Sequence, residues 1–556
     1  MKLTRRDILR WGMVTGGTAL LPGGLGRLGA ASGSSGGGGG SDQFGPSPPT
    51  RPFVDPLVVP PIAMPVPRFP TQADPTNCVN VDGTTAVHVS GPRVVPPNTE
   101  FFRLTERPGL HSFHRDLPQN VIWGYDGIQP GPTFVTRSGT PALVRFVNQL
   151  PENDPVGIGE PITAVHRHGG FQAPEDDGYP LDTFCTGQSR DYFFPNVPDD
   201  GLEQNEHSTL WYHDHAIDIT GVNVYRGLAG FYLNFDEVDS GNELDDDPRA
   251  LRLPSGEFDV GLVFQDRQFD ENGFLVFDDF DHNGFLGDKF LVNGVIQPFF
   301  KVQRRKYRFR CLNGANARFF NFFLSTGQPF VAIATDDHLL ERPVTVKNFL
   351  IGPAERVEVV IDFSQNAIGD EVFLQNRLEQ DDGRKPAELV GAPTPILKFI
   401  VDRNPDQPDR SRVPDVLRPV IVGPRELLPR VVAQRTFEFN RSDGAWQVNG
   451  EFFDENRISA TPRRGTAEIW TFESGGGWAH PIHVHLINFF ILSRNGSTPP
   501  PLERGRKDTA VIGGPEFGDV KVLIPFPERF TGTYVFHCHN IEHEDMRMMA
   551  QYDLLP

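Results

Sequence analysis

Apolar and polar residues alternate in short runs along most of this chain, and the runs recur. Ala142–Leu150 reads ALVRFVNQL, Lys306–Gly314 reads KYRFRCLNG and Ala467–Gly475 reads AEIWTFESG. On a strand, successive side chains point to opposite faces, so such runs can bury one face and wet the other. Each run follows a turn-forming Asp/Asn-Gly core: YDGIQPGPTF (Tyr125–Phe134), VNGVIQPFF (Val292–Phe300) and VNGEFFDEN (Val448–Asn456). The turn glycines Gly127, Gly294 and Gly450 lie 167 and 156 residues apart, a period of one domain per repeat. Short strands, Gly/Pro turns and few helical stretches predict an all-β chain of β-sandwiches. Its 556 residues hold three to four domains at about 150 residues each.

The ends of the chain change this picture. Thr4-Arg5-Arg6-Asp7-Ile8-Leu9-Arg10 resembles a twin-arginine export signal; a weakly apolar stretch, Trp11 to Leu21, and small residues near Gly29-Ala30-Ala31 follow it. That stretch is short of the roughly 20 apolar residues that span a bilayer, and no other segment is apolar enough to anchor the chain. Ser32–Ser41 is a Gly/Ser linker and Gly45–Pro70 is rich in proline, so both are expected to be extended or disordered. The expected layout is a signal at 1–31, a linker at 32–70, and domains at 71–240, 241–405 and 406–556. The formal charge of −20 argues against nucleic acid or an anionic membrane as a partner, and selects no substrate.

The chemistry gathers near the C-terminus, in His537-Cys538-His539-Asn540-Ile541-Glu542-His543-Glu544-Asp545-Met546-Arg547-Met548. Cys, His and Met are the ligand set of a blue-copper centre, with a long axial Met bond. Cys538, His543 and Met548 are available for it, and one further His must come from elsewhere. On an extended strand His537 and His539 face away from Cys538, toward a different site. One covalent segment then joins two metal centres, which suits electron transfer between them. Of 16 histidines, ten fall in four short motifs: VHRHGG (His166, His168), WYHDHA (His213, His215), HPIHVH (His480, His483, His485) and the run above (His537, His539, His543). A single His-x-His is more often two imidazoles on one face of a strand; four such motifs in one chain are not explained that way. His88, His111, His114, His207, His282 and His338 are scattered and read as ordinary residues.

These motifs, in this order, resemble those of the multicopper oxidases, the laccase-like family. The spore-coat laccase and bilirubin oxidase branch is nearest in flavour, through HGG followed by DDGYP (Asp176–Pro180), YHDHA and HEDMRMM. The likeness runs from about residue 60 to the C-terminus. It implies three cupredoxin-like Greek-key domains and four copper ions. By that resemblance His480, Cys538, His543 and Met548 match the type-1 site, and His166 and His483 the type-2 site. His168, His213, His215, His485, His537 and His539 match the type-3 pair. The first and third repeats each supply two motifs, so a cluster shared between them is expected at their interface, with the middle repeat positioning the other two. Asp177 and Glu544 match acids that the family uses to feed protons to the cluster. Trp211, Tyr212 and Arg167 read as structural.

The implied activity is an exported, monomeric oxidase, periplasmic or extracellular. It couples one-electron oxidation of small phenolic, aromatic amine or bilirubin-type donors to four-electron reduction of O2 to water. Its one further partner is the twin-arginine export machinery. A metallo-oxidase for Mn(II), Fe(II) or Cu(I) is the alternative, but the Met-rich insert of cuprous oxidases is absent: Met64 is isolated, and Met546, Met548 and Met549 sit in the ligand run. A non-enzymatic exported scaffold is contradicted by the complete ligand set, and a copper carrier would need neither an axial Met nor a two-domain cluster. With Cys538 committed to metal, Cys78, Cys185 and Cys311 allow one disulfide, and the sequence does not say which pair forms it.

Overall fold

The computed structural model describes residues 44–556, apart from residues 155, 199–206, 279–280, 388 and 443. The signal and the Gly/Ser linker lie outside the described residues. Six large sheets face one another in three pairs, each pair a β-sandwich. In the first, one sheet runs Asn120–Tyr125, Glu100–His111, Ala142–Asn148, Ser189–Phe194; the other runs Phe134–Arg137, Ala229–Phe235, Thr209–Asp214, Val165–His168. Phe102, Phe134, Phe146, Tyr212 and Tyr232 fill the space between them. The middle and third sandwiches close around Phe264, Phe309 and Phe399 and around Trp470, Phe472 and Phe536. Each such ring removed from water stabilises the fold by about 1.5–3 kcal/mol.

The sequence repeat is a structural one. Ala142–Asn148, Lys306–Asn313 and Ala467–Ser474 each pair in parallel with an earlier strand, namely Glu100–His111, Asp259–Phe269 and Val431–Ser442. On its other edge each earlier strand pairs antiparallel with the strand that leads into the Asp/Asn-Gly turn. At all three turns both central residues have positive φ: Asp126 and Gly127 (55° and 72°), Asn293 and Gly294 (50° and 75°), Asn449 and Gly450 (54° and 76°). Such hairpin turns tolerate Asn or Asp then Gly, and little else.

The proline-rich segment from residue 44 to 70 is extended, as its composition predicts, but it is a docked strap rather than a loose linker. Phe53 and Leu57 donate to the carbonyls of Gln297 and Phe299 on the middle sandwich; Ala63 and Val66 donate to those of Thr133 and Phe101 on the first. Frequent proline makes this possible, because a chain already restricted in φ loses little entropy on docking. Just after the strap, Cys78 forms a disulfide with Cys185, and Cys311 stays free and buried in the middle sandwich. Among the described residues no helix is long and apolar enough to cross a membrane.

All four histidine motifs lie in the second sheet of the first or third sandwich, or just beyond its strands. Val165–His168 pairs antiparallel with Thr209–Asp214, which sets His166 opposite His213. His480–Val484 pairs with Gly532–Cys538, which sets His483 opposite His537 and Ile482 opposite Cys538.

Candidate metal centre

Three side chains converge on one buried point of the third sandwich. Cys538 Sγ lies 3.4 Å from His480 Nδ1 and 3.5 Å from His543 Nδ1, and the two nitrogens are 3.2 Å apart. His543 Nε2 donates to the Asn283 carbonyl at 3.1 Å, which leaves its Nδ1 lone pair aimed at the sulfur. Met548, wholly buried in the same cluster as Cys538, accepts from the Cys538 N–H through its carbonyl at 3.1 Å. Burial pushes the Cys538 thiol up, out of reach of ordinary deprotonation; a metal ion is the agent that makes such a thiol a thiolate.

Eight more imidazoles meet between the first and third sandwiches. His168, His213 and His539 bring one ring nitrogen each within 4.8 Å of one another, and so do His215, His485 and His537. In the second triad, His215 Nε2 and His485 Nε2 each lie 3.2 Å from His537 Nε2. His166 and His483 share a third grouping with His168. His166, His213, His483 and His537 donate Nδ1–H to the carbonyls of Asp177 (2.5 Å), Asp214 (2.7 Å), Asp508 (2.9 Å) and Cys538 (3.0 Å). That fixes their tautomers and turns bare Nε2 atoms inward. His166 Nε2, His213 Nε2, His483 Nε2, His168 Nδ1 and both nitrogens of His539 are buried without a hydrogen-bond partner. Leaving one such atom bare costs about 1–3 kcal/mol, so a group of them is a site for cations. Burial also holds every one of these imidazoles low, His483 at about 4 and His215 at about 3, so they are neutral, the form that binds metal.

The strand alternation expected around Cys538 is present: His537 points to one triad, His539 to the other, and Cys538 to the opposite side. The acids expected near the cluster stand behind it. Asp177 Oδ2 accepts from His485 Nδ1 at 2.7 Å, and Glu544 Oε1 lies 3.6 Å from His215 Nδ1. Each carboxyl thus sits on the outer nitrogen of an imidazole whose inner nitrogen faces His537, and burial pushes both well above the usual carboxyl range. Arg167 is structural in a specific way. It holds Gln172 Oε1 at 2.7 Å while Gln172 Nε2 donates to Asp177 Oδ1, also at 2.7 Å.

Sequence reasoning missed Asp508. Its Oδ1 lies 3.1 Å from His168 Nε2. Against its burial, the Arg356 guanidinium, at 2.9 and 2.5 Å, holds this carboxylate well below the usual range. Arg356 comes from the middle sandwich, so the sandwich without ligand motifs still reaches the cluster. Nothing in the RKDTAV stretch around Asp508 signals this, because its partners are remote in sequence. Trp211 packs as expected and also stacks on His213 at 4.2 Å; Tyr212 turns the other way, its hydroxyl donating to Pro132 at 2.7 Å. Two of the scattered histidines are joined: Asp337 accepts from His207 at 2.7 Å and lies 2.9 Å from His338 Nδ1. His282 lies at the mononuclear site, its carbonyl accepting from Trp446 Nε1 at 2.5 Å.

Three family models, each described as multicopper oxidase, match residues 111–237, 280–389 and 427–555. A bilirubin oxidase from Albifimbria verrucaria is 37% identical over 82% of this chain and 76% of its own length. The chain belongs to the multicopper oxidases. A laccase from Bacillus subtilis (strain 168) is 31% identical to this oxidase, over 82% of this chain and 94% of its own. The crystal structure of a laccase from Pediococcus acidilactici superposes with a TM-score of 0.71 at 25% identity, covering 92% of the oxidase and 96% of that chain. The family consists of copper oxidoreductases that use O2 and carry type-1, type-2 and type-3 coppers, four ions in all. The bare buried nitrogens and the thiol of this oxidase fit that cofactor set.

Proposed function

We propose that this oxidase takes single electrons from phenolic, aromatic amine or bilirubin-type donors and reduces O2 to water. His480, Cys538, His543 and Met548 would hold the type-1 copper, and His166 and His483 the type-2. His168, His213 and His539 would hold one type-3 ion, and His215, His485 and His537 the other. When bound, the coppers supply one-electron redox chemistry at one end and four-electron reduction of O2 at the other. The observation that carries the reading is the pair of imidazole triads meeting on either side of His537-Cys538-His539. The protein's own part is to hold neutral imidazoles with their bare nitrogens inward, to keep Cys538 out of water, and to stand two protonatable carboxyls behind the cluster. The Cys78–Cys185 disulfide supports an oxidising compartment. With the twin-arginine sequence, it favours export of the folded chain to the periplasm or beyond.

A metallo-oxidase is the second reading. One observation favours it: Glu542, next to His543, is buried with Oε2 unpartnered while Oε1 accepts from Asn316 at 2.7 Å. A panel of a phenol, bilirubin, Mn(II), Fe(II) and Cu(I) on copper-loaded protein under air, with oxygen uptake and peroxide recorded, separates the two readings. Turnover of the organic donors without peroxide is expected, and turnover of metal ions alone would transfer the assignment. Cys538→Ser should remove both the blue colour and donor oxidation while the type-2 magnetic resonance signal remains. A serine variant that stayed blue would refute the ligand assignment.

A further inference from the structure

The outer side of the mononuclear site carries two arginines for which the ligand chemistry has no use. Trp446 lies on the His543 ring at 3.7 Å and meets Trp478 edge-on at 4.6 Å. Over this pair, the Arg384 guanidinium sits 4.8 Å from the Trp478 ring centre, and that of Arg441 sits 5.2 Å from Trp446 and 5.8 Å from Trp478. Both tryptophans are buried and both arginines are exposed. The arginines are tethered without being neutralised. Arg441 Nη1 donates to Asn283 Oδ1 at 2.5 Å, and the Arg384 carbonyl accepts from the Ala479 N–H at 2.9 Å. The Asp382 carboxylate accepts the main-chain N–H of Arg384, at 2.9 Å, rather than its guanidinium. Among the described residues neither guanidinium has an ion-pair partner.

We propose that Arg384 and Arg441 form an anion subsite at the mouth of the mononuclear site. It takes the carboxylate or sulfonate of an aromatic donor and holds the oxidisable ring beside His543. The subsite rests on the donor-oxidation reading above. A guanidinium is permanently charged and presents a planar fork that fits carboxylate or sulfonate oxygens. The tryptophan floor excludes water from one side, which strengthens the attraction. The net charge of −20 repels anionic donors from the molecule as a whole, so a local pair of cations favours where they land as well as which ones bind.

The test compares kcat/KM of copper-loaded protein for the disulfonated dye ABTS with that for uncharged 2,6-dimethoxyphenol, at low and high salt. In Arg384→Gln and in Arg441→Gln the ratio of ABTS to phenol should fall about threefold, and in the double variant about tenfold, with the salt dependence flattened. A change in copper potential moves both donors together and cancels in the ratio. Arg441→Glu should lower the ratio further. Redox-inert naphthalene-1,5-disulfonate gives a second readout through quenching of tryptophan fluorescence, and its Kd should weaken in the same order. If the wild type bound this probe through the arginines yet oxidised neither donor, the functional reading would fall and the subsite would stand. If both donors turned over and neither the ratio nor the probe Kd changed in the double variant, the subsite alone would be overturned.

Discussion

Glu106 predicts a pH-dependent weakness in the first sandwich. The side chain is wholly buried in the first sandwich. Thr163 Oγ1 donates to its Oε2 at 2.6 Å, and its Oε1 has no partner. Burial, with a contribution from Asp214, pushes this carboxyl from its usual 4.5 up to about 8. The unfolded chain therefore releases the proton first as pH rises, and the folded state is penalised by holding it. The stability contribution is fully present below about pH 4.5 and is lost as pH rises through about 8. At about 1.4 kcal/mol per tenfold change in proton activity, the loss is about 5 kcal/mol. Glu106→Gln copies the protonated carboxyl, with one acceptor for Thr163 and a donor on the other atom, and cannot ionise. Chemical unfolding at pH 5 and pH 9 should show the variant close to the wild type at the lower pH. At the higher pH the variant should be several kcal/mol more stable. The same difference between the two proteins at both pH values would refute the reasoning.

Met548→Leu should keep copper and raise the type-1 potential, because a weak axial thioether tunes the ion more than it holds it, whereas Met546→Leu should leave the potential in place; equal shifts in a redox titration would overturn this choice of ligand. Glu544→Gln should keep copper and colour, but lower steady turnover by about tenfold or more. The deficit should grow with pH, since burial raises the carboxyl and lets it stay protonated, and able to donate, to higher pH than a surface acid; a flat deficit across pH would make Glu544 a packing residue. Arg356→Gln leaves Asp508 buried without its two-pronged partner. It should cost about 3–5 kcal/mol and reduce the copper count at the cluster while the blue site survives, as measured by unfolding and metal analysis; full cluster occupancy would show that Asp508 does not need the middle sandwich.

The features legible in the sequence were those encoded locally. Alternation gave the strands, and the Asp/Asn-Gly turns gave the repeat, since both central positions need positive φ. Spacing within HCH and His-x-His assigned side chains to faces, and those faces hold in the structure. Side chains that act across the chain were not legible. Asp508 is one acid among many until Arg356 and His168, each more than 150 residues away, are folded against it. Trp446 comes from a strand, and Arg384 and Asn283 from two separate turns around His543, and no local pattern unites them. Proline content predicted an extended segment correctly, but the main-chain N–H donors that dock it belong to its non-proline residues.

The distance in sequence between the two halves of the cluster sets an order of events. His215 and His537 touch across 322 residues, and no triad is complete until the first and third sandwiches are packed together. At about 5–20 residues per second of synthesis, roughly 20–75 seconds separate the emergence of His166 from that of His539. Through that interval the first sandwich presents an unfinished face of imidazoles, ready for whatever cation is nearby. Metal selection at the cluster is therefore a closing step, governed by what is present when the last sandwich docks. A chain stopped short of residue 537 lacks His537, Cys538, His539, His543 and Met548, so neither triad nor the mononuclear site can be completed, however well its first two sandwiches have folded.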